Sequence, residues 1–328
     1  MIRFLFALML LVFAGCSRND VKVVDSAEAT DTLFMKSTSL SQELLMPARM
    51  MITDGRLVFF QITGDDVFVL LDNPLSGKCR TIGRRGRGPG EFMEVDIQSL
   101  KSTDDGFLCM DAGGYKKEVT ITGDEVKVVS MQIPTFGHPQ NGILIDGDVY
   151  ISANVMNDES EYILYYGNET EPSFVSEYPE WTHDQSQPSA FVYMKNMVSH
   201  PTKELMASFY VYFRKLRILR TDGDVLHDID VRVPDEFPSY SAEVHNRSFA
   251  YASYPVATDK YIYALCRNAY KGDLINADTE IHVWTWDGEL KKRIILDRPL
   301  DLFAVDEVNS MIYGCKVSES STLYYQSF

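Results

Sequence analysis

Five cations fall within ten residues, Lys78, Arg80, Arg84, Arg85 and Arg87, in a chain whose formal charge is −16. The planar guanidinium fork matches carboxylate, sulfate or phosphate oxygens two at a time. Gly83, Gly86, Gly88 and Gly90 surround the last three arginines, so packing makes little demand on those side chains. Arg84, Arg85 and Arg87 are therefore candidate contacts for an anion or an acidic sugar. The competing reading pairs them with nearby carboxylates such as Glu91 and Glu94. The glycines themselves permit tight passage of the backbone. They do not form a phosphate cradle, because no Gly-Lys-Ser/Thr follows, Pro89 interrupts the amides, and the spacing is not that of a dinucleotide fingerprint.

Other chemistry-bearing residues are scattered. Trp181 lies in the polar stretch Tyr178-Pro179-Glu180-Trp181-Thr182-His183-Asp184, where an indole can stack on a sugar ring or tuck against a neighbouring element. Trp284 and Trp286 are two apart and share one face of a strand, which assigns them to packing. The histidines His138, His183, His200, His227, His245 and His282 form no HExxH or HxH motif, so no metal and no cofactor is assigned. Asp146-Gly147-Asp148 and Asp222-Gly223-Asp224 lack the later ligands of a calcium loop and read as hairpin turns. No G-x-S-x-G elbow is present, and no catalytic residue is assigned.

Cysteine chemistry is concentrated at the start of the chain. Met1-Ile2-Arg3 is a short basic lead, and the apolar run Phe4 to Ala14 is too short for a membrane span of about 20 residues but suits a signal-peptide core. Phe13-Ala14-Gly15-Cys16 resembles a lipobox, with Phe13 where the pattern prefers Leu. The resemblance implies a signal peptide over residues 1–15 and lipidation of Cys16. Two or more acyl chains, at about 0.8 kcal/mol per buried CH₂, hold a protein firmly on a membrane. No retention aspartate follows Cys16, so the outer membrane is expected. Residues 16–31 read as a polar tether. Within and beside it, Asp25-Ser26-Ala27 and Asp31-Thr32-Leu33 resemble O-glycosylation acceptors at Ser26 and Thr32; the alternative is an ordinary polar linker. Cys79, Cys109, Cys266 and Cys315 form no close pair, and the last three sit in apolar runs as expected of buried free thiols. The acidity excludes general affinity for nucleic acid, which rewards a basic face.

The elements that must position these residues are strands. From about residue 50, short runs such as Arg56-Leu57-Val58-Phe59-Phe60 and Val67-Phe68-Val69-Leu70-Leu71 alternate with Asp-Gly turns at 54–55, 105–106, 146–147, 222–223 and 287–288. Asp-Gly between apolar runs signals a hairpin, because the turn needs positive φ. No stretch keeps a helical stripe for three turns. A strand of similar texture begins near Arg56, Gly106, Asp148, Glu204, Tyr261 and Met311, a recurrence of roughly 50 residues that fits one four-stranded propeller blade per unit. The expected body is therefore an all-β, single-domain six-bladed propeller over residues 32–328. Its last unit holds only three strands, Leu302–Val305, Met311–Lys316 and Leu323–Gln326. Thr32-Leu33-Phe34-Met35 is expected to supply the fourth and close the ring, which protects strand edges.

Ile82-Gly83-Arg84-Arg85-Gly86-Arg87-Gly88-Pro89-Gly90-Glu91-Phe92 resembles the G-x-x-G-x-GPGEF signature of TolB-like six-bladed propeller lipoproteins, and more distantly the blade linker of NHL repeats. The resemblance implies the fold and an exported location, with no activity attached. A binding or scaffold module for an envelope protein or acidic glycan is the expected function. The alternative is a lyase or hydrolase of glycans or peptides with its site in the central funnel. The funnel lining separates the two: clustered titratable groups favour the enzyme, a plugged channel favours binding.

Overall fold

The computed structural model describes residues 21–133, 141–145, 149–167, 169, 171–179, 187–233, 241, 243 and 247–328, the side chains of 274–276 excepted. Six antiparallel sheets form a ring, the expected six-bladed propeller. From the innermost strand outward, blade 1 comprises Pro47–Thr53, Arg56–Gln61, Asp66–Leu71 and Arg80–Arg84, and blade 2 comprises Lys101–Ser102, Gly106–Asp111, Tyr115–Thr122 and Glu125–Gln132. Blade 3 comprises Gly142–Leu144, Val149–Ala153, Tyr162–Tyr166 and Ser173–Val175, and blade 4 Lys195–Ser199, Leu205–Tyr210, Lys215–Arg220 and Val225–Val231. Blade 5 comprises Val256–Ala257, Tyr261–Arg267, Thr279–Thr285 and Leu290–Leu296, and blade 6 Leu302–Asp306, Met311–Cys315 and Thr322–Ser327.

The ring closes through the N-terminal region, with the closing strand displaced from its expected position. Lys36–Ser39 pairs antiparallel with Thr322–Ser327, Thr38 opposite Leu323. Thr32 and Leu33 belong to Ala29–Leu33, which instead runs parallel to the outer strand of blade 5. The run 32–35 thus turns a corner between two blades. The Met35 amide donates to Asp297 (3.0 Å), its side chain enters the core between blades 5 and 6, and Phe34 is left exposed.

Residues assigned to a polar tether also pair with blades. Lys22–Val24 lies parallel to the outer strand of blade 4, with Val24 in the core. Ala27 packs between blades 4 and 5, and the Glu28 amide donates to the Leu290 carbonyl. The N-terminal region is therefore a strap that covers the outer edges of blades 4, 5 and 6 in turn. Covered edges cannot recruit another chain.

Apolar side chains from adjacent blades interleave to make the core. The seam between blades 4 and 5 holds Phe209, Ile218, Tyr251, Cys266, Trp284 and Trp286, so the two tryptophans pack between blades as expected. Cys109, Cys266 and Cys315 are buried free thiols.

Candidate functional site

Each blade meanders, so its first strand begins at the end where its second finishes and its third begins. The links between blades leave from that same end, here termed the loop face. At this level the central channel is crossed by side chains. Arg49, on the inner strand of blade 1, donates Nη1 to the carbonyls of Ile97 and Gln98 and lies 5.1 Å from the Tyr254 ring centroid. Burial lowers its pKa to about 10, against the opposing pull of Tyr254 and Asp96. Gln98 donates Nε2 to the Asn141 carbonyl (2.7 Å) and accepts from the Met197 amide (2.6 Å). Asn196 donates to the Tyr251 carbonyl at 2.9 Å. These bonds tie the inner parts of blades 1 to 5 together across the channel.

Two polar clusters lie at the loop-face ends of adjacent seams. Between blades 3 and 4, the wholly buried Glu161 accepts from Lys195 Nζ (2.6 Å), Arg217 Nη1 (2.8 Å) and the Tyr210 hydroxyl. Arg217 also holds Asp228 at 2.7 Å, and Lys215 bridges Asp228 and Asp230. Lys195 Nζ sits 4.7, 5.3 and 5.5 Å from the ring centroids of Tyr162, Tyr178 and Tyr210. Burial lowers the Lys195 pKa to about 8, with Glu161 acting against it. Burial opposes the charge on Arg217, but Tyr210, Glu161 and Asp228 outweigh it and hold the guanidinium above its ordinary value.

Between blades 4 and 5, cross-strand register sets Cys266 opposite Glu280 and Ala264 opposite His282. The Tyr251 hydroxyl lies 2.9 Å from His282 Nδ1, and His282 Nε2 lies 2.8 Å from Glu280 Oε1. Arg293 holds the other carboxylate oxygen at 2.6 and 3.2 Å. Burial alone would raise Glu280, but His282 and Arg293 bring it down to about 2. Burial, then the Glu280 charge, pushes the Cys266 thiol up. The exposed Asn268 caps the cluster: its Nδ2 is 3.3 Å from Glu280 Oε1, and its Oδ1 is 3.6 Å from Cys266 Sγ. Sequence reasoning missed this cluster. The available signal was Glu280-Ile281-His282, two polar residues on one face of an otherwise apolar strand.

The arginine loop does not gather its five cations. Arg80 pairs with Asp72 (2.8 Å) at the opposite end of blade 1. Arg85 is structural: it donates to the carbonyls of Gly64 (2.8 Å), Gln61 (2.7 Å) and Ile62 (2.7 Å). Arg84 and Arg87 are exposed, with no ion pair among the described residues. Glu91 turns inward and accepts from the Gly88 amide at 2.8 Å, and its carboxylate occupies the space a Cβ on Gly86 would need. Phe92 is buried edge-on against Phe68, 5.2 Å between centroids. The amides of Met93 and Glu94 donate to Asp111. The motif thus staples blade 1 to blade 2, and of its arginines Arg84 and Arg87 remain available to a ligand; Lys78, also exposed, lies before the outer strand of blade 1, at the opposite end. Ser26 and Thr32 are both exposed, Thr32 on the outer edge of blade 5. The Asp222–Asp224 stretch is a hairpin turn, with the Asp224 amide donating to Asp222 at 3.0 Å. Cys16, Trp181, His138, His183 and His245 lie outside the described residues.

No family model and no curated protein matches the chain. Solved structures share its fold. A member of the DUF4221 family from Bacteroides vulgatus aligns with a TM-score of 0.55 at 9% identity, covering 90% of this chain and 96% of that one. A Bacteroides fragilis protein provisionally described as exported aligns with a TM-score of 0.51 at 9% identity, covering 90% and 98%. At this identity the likeness extends to the fold alone.

Proposed function

We propose that this chain is a lipid-anchored envelope module that binds a protein partner through its loop face. The carrying observation is where exposed large apolar side chains fall. Among the described residues, Leu45, Met46, Ile62, Met93, Val155, Met156, Met194, Tyr270 and Val317 lie on that face and Leu75 and Val308 on the opposite one, while Val21, Val23, Phe34, Val129, Met131 and Phe174 lie on the strap and the outer strands. Single exposed apolar residues are ordinary on a protein surface. Concentration on one face, with methionines contributed from blades 1, 3 and 4, suits a surface that repacks against a partner. Met46 is held there at φ 53°, a left-handed conformation that costs a β-carbon residue of order 1 kcal/mol or more.

The side-chain bonds of Arg49, Gln98 and Asn196 across the channel suit a binding module. Lipidation at Cys16, the TolB-like affiliation and placement at the outer membrane rest on the lipobox and the Gly-rich motif. The fold shared with a protein described as exported agrees with them. Arg84 and Arg87 stand on the same face and would meet carboxylates of an acidic partner or glycan. The test is a photo-crosslinking residue placed at Met156 or at Val308 in the native envelope. A discrete adduct from Met156 and none from Val308 is expected; equal labelling from both faces refutes loop-face docking.

A further inference from the structure

We propose that Cys266, Glu280 and His282 form a binding site for one zinc-type divalent ion in the seam between blades 4 and 5. Among the described residues they are the group whose thiol, carboxylate and imidazole ligand atoms all lie within 4.8 Å of one another. A soft thiolate with an imidazole and one carboxylate suits zinc or a neighbouring transition metal, whereas magnesium and calcium prefer oxygen alone.

The surroundings aim these atoms at a common point. Tyr251 engages His282 Nδ1 and leaves Nε2 facing the cluster. Arg293 engages Glu280 Oε2 and leaves Oε1 facing it. Bound imidazoles and carboxylates are ordinarily held from behind in this way. Tetrahedral coordination at about 2.0–2.3 Å places ligand atoms about 3.3–3.7 Å apart. The 2.8 Å contact between His282 and Glu280 therefore has to open by about half an ångström as the ion replaces their shared proton.

The chemistry balances with one proton lost from the cluster to solvent. Glu280 is already ionised, and the Cys266 thiol gives up its proton as the metal–sulfur bond forms. The imidazole keeps its N–H by moving it to Nδ1, where it donates to the Tyr251 oxygen. Burial and the Glu280 charge disfavour the thiolate, Arg214 and Arg293 oppose them in part, and the metal–sulfur bond has to supply the rest. Asn268 supplies the route in. It is exposed and bridges Cys266 and Glu280, so its carboxamide swings aside to admit an ion, and its oxygen or a water completes the fourth position.

The test uses the full mature protein and Co²⁺, then Zn²⁺, as probes. One equivalent of Co²⁺ should produce a thiolate-to-metal charge-transfer band with the visible bands of four-coordinate cobalt, and Zn²⁺ should bleach both. Cys266→Ala should lose the charge-transfer band. No thiolate band in the wild type, or a band that survives Cys266→Ala, overturns the proposal. X-ray absorption on the zinc-loaded wild type needs no variant. One sulfur at about 2.3 Å with nitrogen or oxygen at about 2.0–2.1 Å is expected; a shell with no sulfur, or with two, overturns it.

Discussion

The two seams on either side of blade 4 are built alike and end differently. Each buries ionisable side chains near the loop face, the first joining Glu161 from a loop of blade 3 to strands of blade 4, the second drawing Cys266, Glu280, His282 and Arg293 from blade 5. In the seam between blades 3 and 4, cations and carboxylates are matched: Lys195, Lys215 and Arg217 against Glu161, Asp228 and Asp230. Each of the three cations there contacts at least one carboxylate of the cluster. In the seam between blades 4 and 5, a thiol, an imidazole and one carboxylate oxygen face one another, and only an exposed asparagine stands over them. A saturated cluster holds blades together. A cluster of facing ligand atoms can hold something else. Burial of polar groups is common to both, so burial by itself does not mark a site.

The largest expected effect lies in the saturated seam. Glu161→Gln strands Lys195 and Arg217 beside a neutral amide, and breaking such a buried set costs about 3–5 kcal/mol. Urea unfolding should show that loss. A loss below about 1 kcal/mol would remove the contrast, since surface ion pairs contribute that little.

The same seam should respond to alkaline pH. The unfolded chain keeps the Lys195 proton up to its ordinary value of 10.5, while the folded chain releases it from about pH 8. Between those values the unfolded state binds more protons, so this residue's contribution to stability rises with pH. The wild type should gain on Lys195→Met by up to about 1.4 kcal/mol per pH unit from pH 8 towards pH 10. A flat difference across that window would show that Glu161 holds the ammonium charged.

The seam between blades 4 and 5 should tolerate loss of its carboxylate better. The Arg293 side chain retains 15% exposure and can turn to water when Glu280 is neutralised. Glu280→Gln in metal-free protein should cost about 1–2 kcal/mol, the scale of a lost charge-assisted hydrogen bond. A cost equal to that of Glu161→Gln would make both seams structural.

The smallest effect is expected at the rim. Arg84→Ala with Arg87→Ala should change stability by less than about 0.5 kcal/mol, because both are exposed surface positions. Arg85→Ala, which abandons three carbonyls, should cost more. Unchanged melting with weaker binding of acidic glycans would assign the first pair to a ligand.

The blade plan was legible because it rests on local signals, Asp-Gly turns and a recurrence of apolar runs. Ring closure was legible in kind but misplaced by four residues. Thr32-Leu33-Phe34-Met35 reads as one apolar run, yet Phe34 is exposed and the chain changes blades there. The strap left little trace, since Lys22–Val24 and Ala29–Leu33 join their sheets through backbone bonds that carry no side-chain pattern. The Gly-rich motif was distinctive, but the partners of Arg85 and Glu91 depend on how the loop folds back. The i, i+2 pair Glu280 and His282 stands in the sequence, but Cys266 meets it only through strand register, which no spacing in the chain announces.

Hydrogen–deuterium exchange with and without Zn²⁺ tests the contrast between the seams most directly. Binding at a hundredfold excess over Kd stabilises by about 2.7 kcal/mol, ample to slow exchange where the ion sits. Added protection over 248–254, 261–270 and 279–285, with no change at Glu161, Lys195 or Arg217, is the predicted pattern. Protection shared equally by both seams, or none over 261–285, would contradict it.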